Sequence, residues 1–217
     1  MGKQLLSAVF SLLLTAVLYG QDLGSVSQIS LEQGLSDRTV KDIVRDRYGY
    51  LWISTRNGLN RYDGLHIETY DNHPERQTRI SAKDIHKVLP RPDGSLVIQY
   101  EANRRFVDVL TSESTVAQKL FLNRENGVVG VVERIYLHER SGNVYLLVEQ
   151  DSTLVVQRLG ADQQFDSLYQ VRGFQSRPSS VYDLLPLNDG TVWINDNNQG
   201  LLYVDTSGQI ENHVVHD

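Results

Sequence analysis

The stretch VRDRYGYLWISTRNGLNRYDG, from Val44 to Gly64, places short apolar runs between closely spaced turn signals. The run Leu51–Ile53 follows shortly after Gly49, and a second short run ends at Asp63-Gly64. Runs of this length, rich in Ile, Leu, Tyr and Trp and bounded by glycine, are typical of β-strands joined by tight hairpins. The stretch therefore predicts consecutive antiparallel strands.

The same pattern recurs along the chain. A glycine precedes an apolar doublet at four places, spaced 45, 48 and 48 residues apart: Gly49, Gly94, Gly142 and Gly190. The residue three positions after each glycine is large and apolar: Trp52, Val97, Tyr145 and Trp193. Each doublet also has one apolar segment before it and another after it, so one unit contains three or four strands. A fixed period of about 40 to 50 residues with four strands per unit is the signature of a propeller blade.

The sequence thus predicts an all-β fold: a partial β-propeller of about four four-stranded antiparallel blades. The expected repeats lie near residues 34–78, 79–126, 127–174 and 175–217. A helix competes locally at Val40, Ile43 and Val44, whose spacing fits one helical face. The recurrence of the turn glycine favours strands instead. In this register Trp52 and Trp193 are both expected to be buried between adjacent blades.

The first twenty residues have a different composition. Lys3 is their single cation, and an apolar run extends from Leu5 to Leu18. This run has the length of a signal-peptide core and is short for a membrane span. We therefore predict a signal peptide over residues 1–20, and hence export to the periplasm, with an uncleaved anchor as the alternative. No membrane span is expected in the rest of the chain.

Composition argues against several classes of function. The 217 residues carry a formal net charge of −6 and contain no cysteine. A nucleic-acid partner is not expected, because it would require a basic surface. Disulfides and thiolate metal sites are excluded by the lack of cysteine. The six histidines lack the spacing of a zinc motif, and neither a glycine-rich phosphate loop nor a nucleophile elbow is present. We expect no metal, no cofactor and no catalytic residues.

The sequence resembles a known family, the two-component regulator propellers. The resemblance is carried by GLSDRTVKDIVRDRYGYLWISTRNGLNRYDG, residues 34–64. Sixteen positions match the family repeat: Gly34, Leu35, Ser36, Val40, Ile43, Asp46, Gly49, Leu51, Trp52, Ile53, Thr55, Gly58, Leu59, Tyr62, Asp63 and Gly64. A second, partial match contains Gly190, Trp193, Ile194, Gly200, Leu201 and Asp205. The second and third repeats keep the period but few of the letters.

The resemblance implies a function. Proteins of this family are periplasmic sensor regions of bacterial hybrid two-component systems, usually with about fourteen blades in two rings. A β-sandwich, a membrane helix and a histidine kinase follow in such proteins, and many are thought to sense oligosaccharides. These residues therefore resemble the N-terminal part of a sensor, and signalling output is not expected from them. The alternative function is an exported propeller enzyme that acts on polysaccharides.

The rim formed by blade-to-blade connections and by the loops between second and third strands is the expected ligand site. Arginine and asparagine side chains there suit sugar hydroxyls and the anionic groups of acidic glycans. The candidate residues are Arg38, Arg56, Asn57, Arg104, Arg105, Asp196, Asn197 and Asn198. The expected partners are an oligosaccharide and either further copies of the chain or further propeller blades.

One further expectation concerns ring closure. VSQISL, from Val26 to Leu31, alternates polar and apolar residues and precedes the first repeat. It is predicted to be a closing strand, which would pair near 200–213 if the chain curled tightly. Otherwise the arc of blades stays open, and an open arc exposes apolar surface that favours association.

Overall fold

A computed structural model of the chain describes residues 28–122, 130–174, 177 and 180–214. These residues form sixteen strands in four antiparallel sheets, each connected in simple sequential order. The first sheet contains β1 (Val40–Arg45), β2 (Leu51–Thr55), β3 (Gly58–Tyr62) and β4 (Ile67–Tyr70). The second contains β5 (Ile85–Pro90), β6 (Leu96–Tyr100), β7 (Phe106–Leu110) and β8 (Gln118–Phe121).

The other two sheets repeat this arrangement. The third contains β9 (Val131–Leu137), β10 (Val144–Gln150), β11 (Thr153–Leu159) and β12 (Phe165–Gln170). The fourth contains β13 (Tyr182–Pro186), β14 (Val192–Asp196), β15 (Gly200–Val204) and β16 (Ile210–Val214). The predicted all-β fold of four four-stranded blades is confirmed. The predicted signal peptide lies outside the described residues, and none of the helices in the described part is long and apolar enough to cross a membrane.

The marker glycines occupy equivalent turns between the first and second strands of the blades. Gly49, Gly94, Gly142 and Gly190 have φ angles of 93°, 90°, 70° and 89°. Glycine adopts this left-handed conformation without the steric penalty that a Cβ atom brings. In the first blade, the turn sets the register in which Val44 lies opposite Trp52.

In the first three blades, the residue three positions after the marker glycine faces the next blade in the chain. Trp52 packs with Ile85 and Ile98 of the second blade. Val97 packs with residues of the third blade, and Tyr145 with residues of the fourth. Three hydrophobic clusters therefore join four blades, one at each interface between neighbours. Among the described residues, none of the clusters joins the fourth blade to the first.

Trp193 corrects one prediction. Trp52 is buried, with 5% of its surface exposed, whereas Trp193 is only partly buried. Trp193 has the same register as Trp52, so it faces away from the third blade and towards a flank that no described blade covers. Its ring packs against Tyr203, with ring centroids 4.9 Å apart. The prediction that Trp193 is buried between two adjacent blades was wrong, because burial of this position requires a blade on its other side.

Buried polar side chains stand at the centre of the third strand in three blades. Asn60, Asp108 and Gln157 pair with Ile53, Ile98 and Leu146, and each has 0% of its surface exposed. In the fourth blade the equivalent partner of Ile194 is Leu202.

Asn60 and Asp108 both tie the chain that enters their blade to the sheet. Asn60 Oδ1 accepts a hydrogen bond from the Ser36 backbone at 3.0 Å, and Asp108 Oδ2 accepts one from the Ser81 backbone at 2.6 Å. The centre of the third strand therefore carries a buried polar side chain in each of the first three blades, where the fourth blade has Leu202.

The segment before the first blade is not a strand where the structure describes it. Ser30 and Gln33 form a capping box around a short 3₁₀ helix, Leu31–Gln33, which ends at Gly34 in the left-handed conformation. The following Ser36 bonds to Asn60 and lies against the first blade. The predicted closing strand is therefore wrong over residues 28–31. Capping by Ser30 outweighs the alternating pattern. Residues 26 and 27 lie outside the described part.

Candidate functional site

The innermost strands of the four blades line one side of a cavity, here called the axial cavity, to which β14 and β15 also contribute residues. β1, β5, β9 and β13 all contribute side chains to it, and its volume is about 1400 Å³. Along β13, Tyr182 and Leu184 are buried in the third interface, while Asp183 and Leu185 are exposed on the opposite side of the strand. All four residues contribute to the lining of the cavity.

Cationic side chains line much of this cavity. Arg45 ends β1 and Arg47 lies in the turn after it; Lys87 comes from β5, Arg91 from the turn after β5, and Arg134 from β9. Two acidic side chains, Glu139 and Asp183, also contribute. Sequence reasoning missed these residues. The available signal was one cationic residue in each of the first three of these strands, Arg45, Lys87 and Arg134. This signal identifies a cavity only once those strands are known to be innermost.

Two of the cations are fixed by neighbouring blades. Arg91 is 4% exposed, and its Nε donates to the Gly142 carbonyl oxygen at 3.0 Å. Arg47 Nη1 donates to the Pro92 carbonyl oxygen at 2.7 Å. These bonds connect successive blades at the end of the cavity where the marker glycines lie.

The opposite rim carries a polar network between the first two blades. Lys41 lies 2.6 Å from Asp84, and His86 Nδ1 lies 2.8 Å from Glu101. The hydrogen bond with His86 is the main cause of a lowered pKa of Glu101, to which Lys41 also contributes. The backbone continues the network, because the Asp84 N–H donates to the Arg56 carbonyl at 2.9 Å.

The predicted rim residues from the first two blades are mostly exposed. Arg38, Arg56, Asn57 and Arg105 are exposed in the loops at this rim. Arg104 instead forms an ion pair with Glu133 of the third blade, at 2.7 Å from its Oε2. Burial raises the pKa of Glu133, and Arg104 opposes that rise. Arg104 therefore links two blades.

The predicted rim residues from the fourth blade hold their own loop together. Asp196 has 0% of its surface exposed, and its Oδ1 accepts a hydrogen bond from the Asn198 backbone at 2.8 Å. Asn197 Oδ1 accepts one from the Val181 backbone at 2.6 Å. The structure thus gives Asp196 a structural role in the β14–β15 turn. Its buried carboxylate does not reach the surface.

The described residues contain no group of three or more histidine, aspartate and glutamate side chains placed to hold a metal ion. The turn aspartates have a local role instead. Asp189 Oδ1 accepts hydrogen bonds from both the hydroxyl and the backbone N–H of Thr191, which lowers the pKa of Asp189.

This arrangement of radially packed four-stranded sheets around an axial cavity defines the class of the protein, which is a β-propeller. Within that class, residues 34–57 match the family described as two component regulator propeller. The matched residues contain β1 and β2 of the first blade.

Known proteins are similar to this chain in sequence or in structure. Over 48 residues the chain is 50% identical to histidine kinase P4 of Formosa agariphila, which corresponds to 22% of this chain and 4% of that protein. The fold is similar to the extracellular domain of a protein described as hybrid two component system BT3049 from B. thetaiotaomicron. The TM-score is 0.68 at 22% identity, over 88% of this chain and 26% of that one.

The fold also occurs in an enzyme. Dihydro-heme d1 dehydrogenase NirN has a TM-score of 0.57 and 11% identity, over 82% of this chain and 37% of that chain. This chain spans only a small part of the length of the relatives described above. Similarity at this level of identity shows the propeller fold alone.

Proposed function

We propose that this chain is an exported ligand-sensing module, similar to the N-terminal propeller region of a hybrid two-component histidine kinase. The observation that carries the proposal is the two-component regulator propeller repeat at residues 34–57. The structural similarity to an extracellular domain supports a periplasmic or other exported location. The proposed ligand is an oligosaccharide, and the axial cavity gives such a ligand a place to bind.

The size of the cavity supports a ligand larger than a single sugar. Its volume of about 1400 Å³ exceeds the roughly 300–1,000 Å³ that is usual for pockets of drug-sized ligands. The cavity also offers flat apolar surfaces beside charged groups, including Tyr136 and Trp193. A mixture of aromatic surface and a few polar groups is typical of small-molecule sites.

Binding to the purified chain tests this function. A panel of neutral and acidic oligosaccharides would be screened by thermal unfolding, since a ligand that binds only the folded state raises the Tm. We expect at least one oligosaccharide to raise the Tm and to bind in calorimetry without being cleaved. A panel with no binder would overturn the sensing proposal for this chain.

The same samples test the alternative function, an exported propeller enzyme acting on polysaccharides. After prolonged incubation, chromatography would detect shorter sugars or unsaturated products. We expect the oligosaccharides to be recovered intact. Cleavage by the wild-type chain, together with its loss in a heat-denatured control, would favour the enzyme and overturn the sensing module.

A further inference from the structure

The charge of the axial cavity is opposite to the charge of the chain. The chain has a formal net charge of −6, yet five permanent cations line the cavity against two carboxylates. The cations come from the first three blades, Glu139 follows β9 of the third blade, and Asp183 lies on β13 of the fourth. A surface assembled by several blades and enriched in one sign of charge focuses the electrostatic potential within a cleft.

These cations are not neutralised by ion pairs in the described part of the chain. Its ion pairs include none of Arg45, Arg47, Lys87, Arg91 and Arg134. The guanidinium of Arg134 donates to the Glu133 backbone carbonyl at 2.8 Å, as Arg47 and Arg91 donate to other carbonyls. A carbonyl oxygen fixes a guanidinium but leaves its positive charge and its other N–H donors for another group.

Three of these cations are suited to contact a ligand directly. Arg45 and Lys87 are exposed, and Arg134 is partly exposed, while all three line the cavity. Arg91 is buried and acts as a structural tie between blades. The carboxylate of Glu133, beside Arg134, is already occupied by Arg104. Arginine binds carboxylate and sulfate groups in a bidentate manner, whereas lysine binds them as a point charge.

We propose that the axial cavity binds an anionic oligosaccharide, with Arg45, Lys87 and Arg134 contacting its sulfate or carboxylate groups. This inference rests on the proposed sensing function and names its ligand class. Sugar rings pack against Tyr136, and the anionic substituents meet the cations of the first three blades. Asp183 repels anions at the fourth blade and Glu139 does so beyond the end of β9, so the charged groups of the ligand lie towards Arg45, Lys87 and Arg134.

Sucrose octasulfate and sucrose are matched probes for this inference, because they share one scaffold and differ in charge. Tetragalacturonate serves as the carboxylate probe. Isothermal titration calorimetry at 50 and 300 mM NaCl would give the Kd of each. We expect at least one anionic probe to bind, sucrose to bind at least about tenfold more weakly, and the affinity for the anion to fall with salt. Whether sulfate or carboxylate binds more tightly identifies the anionic group.

Substitution of the cavity arginines locates the site. Arg45→Gln combined with Arg134→Gln should weaken binding of the anionic probe at least about tenfold. The matched control removes two arginines that form exposed ion pairs outside the cavity, Arg76→Gln and Arg158→Gln, and should leave the Kd unchanged. Both variants should unfold near the wild-type Tm, which separates loss of binding from loss of fold.

Each other outcome overturns the inference in a recognisable way. Equal losses of affinity for the anionic probe in the cavity and control variants would mean that the positive charges of the chain attract the probe non-specifically. A loss in a rim variant, Arg38→Gln with Arg56→Gln, but not in the cavity variant would place the site on the rim. Tight binding of a neutral oligosaccharide, with none of either anion, would refute the anionic ligand while the sensing function stands. If neither neutral nor anionic probes bind, both proposals fail.

Discussion

Trp52 and Trp193 stand at the same position of the repeat, yet their surroundings differ. Trp52 is covered by the second blade, packs 5.4 Å from the ring of Tyr70, and donates its Nε1–H to Asp46 Oδ2 at 2.8 Å. Trp193 lies on a flank that no described blade covers. At the position equivalent to Asp46 the fourth blade has Leu187. The repeat therefore fixes the direction of the side chain, while the neighbouring blade determines how much it stabilises the fold.

The largest expected difference is between Trp52→Ala and Trp193→Ala. Trp52→Ala should lower the free energy of unfolding by about 3–5 kcal/mol, because it leaves a cavity in the first blade interface. Trp193→Ala should cost about 1 kcal/mol, since its side chain already contacts water. Urea unfolding followed by far-UV circular dichroism would measure both without relying on tryptophan fluorescence. Equal costs would contradict the idea that burial by the next blade sets the contribution.

Asp46→Ala should produce the next largest effect. The Asp46 carboxylate is buried and accepts hydrogen bonds from the backbones of Tyr48 and Tyr50 as well as from Trp52. Leaving these donors without an acceptor should cost about 1–3 kcal/mol. Asp189→Ala is the control in the corresponding turn of the fourth blade, because Asp189 is exposed and its carboxylate accepts hydrogen bonds from Thr191 instead of from a buried indole. A cost for Asp189→Ala as large as for Asp46→Ala would show that the turn, rather than the buried indole, determines the effect.

The features that were predictable from the sequence depend on local chemistry. The marker glycines, the strand alternation and the direction of Trp52 follow from turn conformation and the two-residue period of a strand. The burial of Trp193 and the conformation of residues 28–31 were predicted wrongly. The first depends on a neighbouring blade, and the second on a cap formed by Ser30 that competes with strand formation.

The candidate site was less predictable than the fold. The rim loops could be located from the repeat, but the burial of Asp196 depends on how its turn folds back on itself. The cavity residues Arg45, Lys87 and Arg134 are far apart in sequence, and only the radial arrangement of first strands brings them to one cavity. The role of the rim residues in ligand binding stays a prediction.

Asn60 and Asp108 have equivalent buried positions in the first two blades, but only Asp108 can titrate. We expect this difference to change stability less than the substitutions above and in a pH-dependent way. Burial raises the pKa of Asp108, although its bonds from Tyr100 and Ser81 oppose the rise. A carboxyl whose pKa is raised in the folded state favours folding when protonated, so its contribution improves as the pH falls through that pKa. Asp108→Asn removes this titration and resembles the first blade, where Asn60 has the equivalent position.

We expect Asp108→Asn to change stability at pH 7 by about 1 kcal/mol or less. Relative to the variant, the wild-type chain should gain stability as the pH is lowered from 7 towards 4. Urea unfolding at several pH values would measure this difference. Asn60→Asp is the reciprocal control and should destabilise the chain, because Asn60 Nδ2 donates to the Ile53 carbonyl at 3.0 Å and a carboxylate cannot. A constant difference between wild type and Asp108→Asn across this range would contradict a raised pKa of Asp108.

Substitutions on the uncovered flank of the fourth blade should have the smallest effect on the free energy of unfolding. They should nevertheless reduce the association of the chain with itself. Val181 and Leu185 are 53% and 45% exposed there, beside Trp193. We expect a second copy of the chain to cover this apolar face, because the equivalent face of each earlier blade is covered by another blade. Val181→Lys with Leu185→Lys should change the free energy of unfolding by no more than about 0.5 kcal/mol, but should lower the average mass in light scattering towards that of one chain. Leu65→Lys with Val116→Lys alters exposed apolar residues elsewhere, at 84% and 39% exposure, and should leave the mass as in the wild type. A wild-type chain that is already monodisperse and monomeric at high concentration would show that the flank does not drive association.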